Sequence, residues 1–298
     1  MSVLQDLIVK FNSKKNAELY TRIIKEIQSA EKIWTAFSDA SNNYYLGNVN
    51  GSATAYLFSE KDFFDIFYVH EKQKGYDVRS AENPAEYRMA LLADLYRSGF
   101  ETIIIDSGQT YLKMSLFDII KKPQEQTDNK DTRLIVNPSL VRTACWFFQE
   151  NAKEPANEEM WKLLFTEIFK AEYIVPADTR NLKIDGVKSG KIKLGKNSEV
   201  SFPVLQNSEG KSYYPFFTDW NELRKYDMNS NYSVLAANFK DLQRFAGKAD
   251  GIVINPYGAN IILTSDMLND IKNISLKAEK SKSEIMVGEP KEYPVKMV

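Results

Sequence analysis

At 298 residues the chain exceeds the usual size of one domain, and a composition of 43% hydrophobic and 27% charged residues is that of a folded globular protein, not a disordered or fibrous one. Its 39 Lys and Arg face 40 Asp and Glu, a net charge of -1, which leaves no global field to recruit nucleic acid or an anionic membrane. A single cysteine, Cys145, excludes an internal disulfide, and a single histidine, His70, leaves no Cys/His zinc site to build.

The N-terminus, Met1 to Asp6, has no cationic stretch followed by a long apolar core, so no cleaved signal is expected and the predicted location is cytoplasmic. Leu19, Tyr20, Ile23, Ile24 and Ile27 form one helical stripe, which runs directly into a predicted strand, Ile33 to Phe37. A second strand ends on Leu57-Phe58. Ser59 is placed to cap the helix that follows, with Asp62 in its first turn and His70 at its C-terminal end, where an imidazole suits the helix dipole. Asn83-Pro84-Ala85-Glu86 predicts a helix start with Pro84 at the first helical position, and Gly99 terminates that helix. The strand Ile103 to Ile105, far too short to span a membrane, is followed by a Ser107-Gly108 turn, a strand over Tyr111 to Met114, and Ser115 as cap of a closing helix.

After a polar stretch, Asn137-Pro138 opens a helix in which Cys145, within Ala144 to Phe148, reads as a small core residue. The earlier pattern then returns. Asn16 to Tyr20 overlies Asn157 to Trp161, and Ile23, Ile27, Ala30 and Ile33 overlie Leu164, Ile168, Ala171 and Ile174. Leu57 to Glu60 overlies Phe216 to Asp219, which makes Thr218 the second cap with Glu222 in the first turn. Glu101 to Asp106 overlies Asp250 to Asn255, followed by Pro256-Tyr257-Gly258, a strand over Asn260 to Leu263 and Ser265 as the closing cap. The spacing lengthens around Arg180 to Val200 in the second copy and around Glu71 to Glu82 in the first, and both insertions are expected in connections. The expected class is α+β (mixed α/β): two tandem repeats, 1–120 and 137–283, joined by a linker at 121–136, each a mixed sheet of about five strands with helices packed on it.

Chemical motifs are few. Gly190 to Asn197 comes near a phosphate-binding loop, but Asn197 stands where a Ser or Thr would hold magnesium, and Lys191 to Leu194 alternates like a strand. The lysines at 183, 188, 191, 193 and 196 read as protection of a sheet edge, with no aromatics interleaved for nucleic acid. Asp106, Asp219 and Asp250, near strand ends, are the candidates for carboxylate chemistry.

Phe202 to Leu205, Gly210, Tyr214 to Trp220 and Gly251 to Pro256 resemble the N-terminal domain of the SseB family: a strand, a Gly turn, an aromatic strand ending before a tryptophan, and a later asparagine-proline turn. In the first copy Asp106-Ser107 replaces the asparagine-proline pair and Lys61 replaces the tryptophan. Val287 to Pro294 is similar to the opening of that family's C-terminal domain, which implies that 284–298 begins a further module of a longer protein. The resemblance brings no reaction or catalytic residue to carry over.

Two readings follow. In the first, the protein is a non-enzymatic interaction or regulatory protein with a protein partner, no nucleic acid or membrane, no cofactor and no metal. Asp219, Trp220, Asn255, Pro256 and Tyr257 then gather at one edge of the sheet as the binding residues, although turn formation and core packing explain the same residue types, with Trp220 covering the hairpin. In the second, a small ligand or a hydrolytic carboxylate site sits in a pocket between the two copies.

Overall fold

Two capped helices open the chain in the computed structural model, which describes residues 2–49, 51–122, 134–179, 184–188, 191–194 and 200–287. Ser2 Oγ accepts the Gln5 amide at 3.1 Å to start α1 (Val3–Ser13), and Asn16 Oδ1 accepts those of Glu18 and Leu19 at 2.7 and 3.3 Å to start α2 (Ala17–Ser29). The buried Arg88 guanidinium closes the other end of α2, donating to the carbonyls of Ile27 and Ala30. Then follow β1 (Lys32–Ser38), β2 (Asn43–Tyr44), β3 (Gly47–Val49), β4 (Ser52–Phe58), α3 (Lys61–Gln73), β5 (Val78–Pro84), α4 (Arg88–Arg97), β6 (Thr102–Ile105) and β7 (Leu112–Ser115).

Strand alternation divides this half into layers. β1 pairs antiparallel with β5 on one side and with β4 on the other, β4 runs parallel to β6, and β6 antiparallel to β7. Ala55 and Leu57 of β4 face α1, α2 and α4 through Leu4, Ile8, Ile23, Ile27, Leu92 and Leu95. Tyr56 and Phe58 face the opposite way, into an aromatic layer with Phe64 and Phe67 of α3.

The second half has α5 (Pro138–Asn151), α6 (Glu158–Lys170), β8 (Tyr173–Ala177), the hairpin β9 (Ile184–Lys188) and β10 (Lys191–Leu194), β11 (Leu205–Gln206), β12 (Ser212–Phe216), α7 (Trp220–Tyr226), β13 (Ser233–Ala237), α8 (Phe239–Ala246), β14 (Gly251–Ile254), β15 (Ile261–Leu263) and α9 (Ser265–Val287). β13 pairs antiparallel with β8. Two backbone hydrogen bonds between Ile174 and Phe217, at 2.8 and 2.9 Å, join β8 to the end of β12, β12 runs parallel to β14, and β14 antiparallel to β15. Leu164, Ile168, Tyr173, Val175, Phe216, Ile252 and Ile254 share one core with α8 and α9, while Ile174, Phe217 and Leu223 pack on the other face. The class is α+β.

Several local expectations change. β5 and β13, each between two helices, are strands where the sequence pattern offers none, because β5 is largely polar (Arg79, Ser80, Glu82, Asn83) and β13 is short. Pro84 is the last residue of β5 and not the first of a helix; α4 begins only at Arg88, after a 3-10 turn at Ala85–Tyr87. Extra length in the first half lies in elements and not in connections: α3 has 13 residues where α7 has 7. His70 falls in the last turn of α3, exposed beside Glu71, as a helix-end imidazole should. Ser115 caps only a 3-10 turn, and the side chain at the start of α9 that accepts an amide is Thr264, from Met267, not Ser265. Cys145 is buried on α5, and burial pushes its thiol up to about 12. Most of the linker, Gly190 and Gly195 to Asn197 of the near-phosphate loop, and the terminal stretch from 288 onward lie outside the described residues, while 284–287 continue α9.

The halves meet through backbone recognition. The buried Gln149 accepts the Leu46 amide at 2.8 Å and donates to its carbonyl at 3.1 Å, replacing a strand partner for that residue. Gly99, at φ 84, lets α4 end against the Pro138 carbonyl, where an added Cβ would approach to 2.4 Å.

Candidate functional site

The C-terminal ends of the parallel strands β12 and β14 bring together residues that the sequence keeps far apart. Asn255, at φ 51, occupies the left-handed region that an Asn tolerates, and its amide donates to the Phe216 carbonyl at 2.9 Å. From there its side chain locks onto Thr218: Oδ1 accepts the Thr218 amide at 3.0 Å and Nδ2 donates to Thr218 Oγ1 at 2.8 Å. That hydroxyl donates in turn to Asp219 Oδ2 at 3.0 Å. Asp219 Oδ1 caps α7, accepting the amides of Asn221 and Glu222 at 2.8 and 3.1 Å. Thr218 is therefore a link in a buried relay and not the helix cap; Asp219 is the cap.

The same construction stands at the ends of β4 and β6. Asp106, at φ 59 and fully buried, accepts the Ser59 amide at 2.7 Å on one oxygen and the Ser59 hydroxyl at 2.8 Å on the other. Glu60, at the N-cap of α3, makes no side-chain cap. Burial pushes the Asp106 carboxyl from its ordinary 3.8 up to about 6, against the two Ser59 donations that favour the charged form. The shared signal in the sequence is a Ser or Thr closing one parallel strand and an Asp or Asn closing the next.

Of the five residues expected to bind, Asp219 and Asn255 are buried and committed to this relay, while Trp220 and Tyr257 are exposed and Pro256 is half-buried. Tyr257 is 52% exposed and stacks on Tyr226 at 6.3 Å, which stacks on Tyr232 at 6.0 Å and packs on Phe217 at 5.5 Å. Beside this ladder in the chain Met228 is 84% exposed. Met228 and Tyr232 escape sequence reasoning, because α7 ends at Tyr226 after only 7 residues and leaves them on no periodic face. The Tyr257 carbonyl accepts the Asn42 amide group of the first half at 3.2 Å.

Trp220 is 38% exposed. It lines a crevice of about 300 Å³ together with Arg97 of the first half, Leu134 to Val136, Asn221 and Arg224. Asn221 bridges the halves here, donating to Asp94 at 2.6 Å. Next to it Glu222 is buried, its carboxyl pushed up by desolvation despite a 2.6 Å bond from Lys225.

The three candidate carboxylates do not converge. Asp106 is sealed in the first half and Asp219 caps α7. Asp250 precedes β14, at the opposite end of that strand from Asn255, and accepts the Ser212 amide at 2.7 Å. The crevice between the halves contains Asp219 alone of the three. Among the described residues no group of His, Cys, Asp and Glu is arranged to hold a metal ion, and no helix is long and apolar enough to cross a membrane.

Fold and turn geometry together define a mixed α+β protein whose second half centres on an aromatic strand and an asparagine-proline turn. The family model for the SseB protein N-terminal domain matches residues 150–270, from the end of α5 into α9. No curated protein matches the chain. Among solved structures, Tic22 from Plasmodium falciparum is similar at 13% identity over 86% of this chain and 98% of its own, with a TM-score of 0.18. Anabaena Tic22 (protein transport) is similar at 7% identity over 78% and 90%, also with a TM-score of 0.18.

Proposed function

We propose that the protein is a non-enzymatic, cytoplasmic interaction protein built from two copies of one SseB-like domain, with the second copy recognising a protein partner. The duplication is supported by a common pairing order, β5-β1-β4-β6-β7 in one half and β13-β8-β12-β14-β15 in the other, and by the Ser59–Asp106 and Thr218–Asn255 locks. The single observation behind the binding role is the tyrosine ladder Tyr232–Tyr226–Tyr257, open at Tyr257 and flanked by the exposed Met228. Tyrosine and methionine offer large contact area at low ordering cost, and they are the side chains enriched where proteins meet.

The test compares affinity capture from the native cell by the wild-type chain, Tyr257→Ser with Met228→Ser, and Tyr111→Ser, an exposed tyrosine of the first half. A partner captured by the wild type and by Tyr111→Ser but lost by the double variant supports the reading. A capture profile indifferent to Tyr257 and Met228 overturns it.

A further inference from the structure

We propose that β13 is the seam of a symmetric dimer, pairing antiparallel with the β13 of a second copy of this chain. All five residues of β13 ladder onto β8 along one side, from Ser233 opposite Ala177 to Ala237 opposite Tyr173. Along its other side no strand pairs with it among the described residues. Such an edge is a template for another strand, and natural sheets blunt it with charge, proline or a cover.

The first half supplies the control. β5 occupies the corresponding place, laddered onto β1, and it is guarded: Arg79 is held by Asp39 at 2.9 Å, Glu82 by Lys32 at 3.0 Å, and Pro84 ends the strand. β13 has none of these. Its sequence, Ser233-Val234-Leu235-Ala236-Ala237, is uncharged throughout, with Leu235 46% exposed and Ala236 exposed beside it. The ladders align the contrast residue by residue. Glu82 stands opposite Trp34 in the first half, and Leu235 stands opposite Val175 in the second. Where one edge presents a carboxylate, the other presents a leucine.

A second copy fits this edge by charge and by symmetry. A two-fold axis near Leu235 sets an uncharged run against itself, so no like charges meet across the seam, and an antiparallel edge is self-complementary in its amides and carbonyls. The result is a continuous antiparallel array of β8, β13 and their two-fold mates. Five residues a side make a small interface, so the dimer is weak and depends on protein concentration. The tyrosine ladder reaches the seam at Tyr232, which precedes Ser233, whereas Tyr257 and Met228 lie outside β13, so variants at Tyr257 and Met228 read the partner site and variants at Leu235 read the dimer.

Sedimentation velocity of the full chain across a concentration series tests the seam. The wild type is expected to pass from monomer to dimer as concentration rises. Leu235→Glu, which copies the guard of the first half, is expected to stay monomeric with an unchanged melting temperature, while Leu163→Glu, on the exposed face of α6, still dimerises. In Leu235→Cys, a bis-maleimide linker is expected to trap a covalent dimer, since the remaining Cys145 is buried. A wild type that is monomeric at every concentration, or a dimer indifferent to Leu235→Glu, overturns the proposal.

Discussion

The two halves build the same strand order and finish its far face differently. In the first, the 13-residue α3 lies across the sheet and closes an aromatic layer in which Phe58, Phe64 and Phe67 are buried. In the second, α7 stops after 7 residues, and the corresponding layer shrinks to Ile174, Phe217 and Leu223, with tyrosines spilling to the surface. The lock at the strand ends differs as well, a buried carboxylate in one and a neutral amide in the other. The first half thus puts its aromatics into stability and tolerates an ionisable group in the process. The second half relieves that electrostatic strain and leaves aromatic surface open, an arrangement suited to recognition.

The largest expected effect follows from the far faces. Phe67 contacts Phe58, Phe64, Tyr45 and Tyr56, so Phe67→Ala should cost about 3–5 kcal/mol by lost burial and a residual cavity. Tyr226→Ala, with one face already reached by solvent, should cost only about 1–2 kcal/mol. Urea denaturation of the two variants checks this. Equal losses would mean that the second half relies on its tyrosines as the first relies on its phenylalanines, and the comparison would fail.

The locks come next. The folded-state pKa of Asp106 is raised, so its stabilising contribution is fully present below about 3.8 and is lost as pH rises through about 6. Near pH 7 and above, folding therefore bears a penalty of about 2–3 kcal/mol from this one carboxylate. Asp106→Asn copies the second half: its Oδ1 accepts the Ser59 amide and its Nδ2 donates to the Ser59 hydroxyl, as Asn255 does with Thr218. It should stabilise the protein by about 2 kcal/mol at pH 8 and by little at pH 4. Asn255→Asp should do the reverse, destabilising increasingly as pH rises. Melting temperatures at the two pH values decide the matter, and a pH-independent difference would remove the electrostatic account.

Much of this architecture is legible in the residues. The stripes of α2 and α6, the strands on either side of each turn and the placing of Asp219 and Asn255 at one sheet end, each bonded to Thr218, follow from periodicity and turn chemistry. What escapes is what tertiary pairing alone creates. β5 is a strand because β1 offers it seven partners, although Arg79, Glu82, Asn83 and Pro84 disfavour one locally. The capping roles of Ser59 and Thr218 fail because a residue from a distant strand takes their hydrogen-bonding groups first. The tyrosine ladder is invisible for a related reason: Tyr257, beyond β14, joins Tyr226, at the end of α7, and Tyr232, before β13, only once the sheet has formed.

The smallest expected effect concerns the edges. Glu82→Leu, introduced into the monomeric Leu235→Glu background, moves the bare leucine from the second half to the first. If a leucine at that ladder position were sufficient for pairing, dimers would return through β5. They are expected not to return, because Arg79 remains anchored over Phe37 with its centre 4.9 Å from the ring, and Pro84 still lacks the amide that a ladder requires. The monomer itself should lose less than about 0.5 kcal/mol, since the Lys32–Glu82 pair is exposed. Sedimentation of the double variant therefore separates two explanations of the bare edge. Restored dimers would make the single leucine decisive, and a monomer would assign the difference between the halves to the whole strand, from Ser233 to Ala237, in which no guard survives.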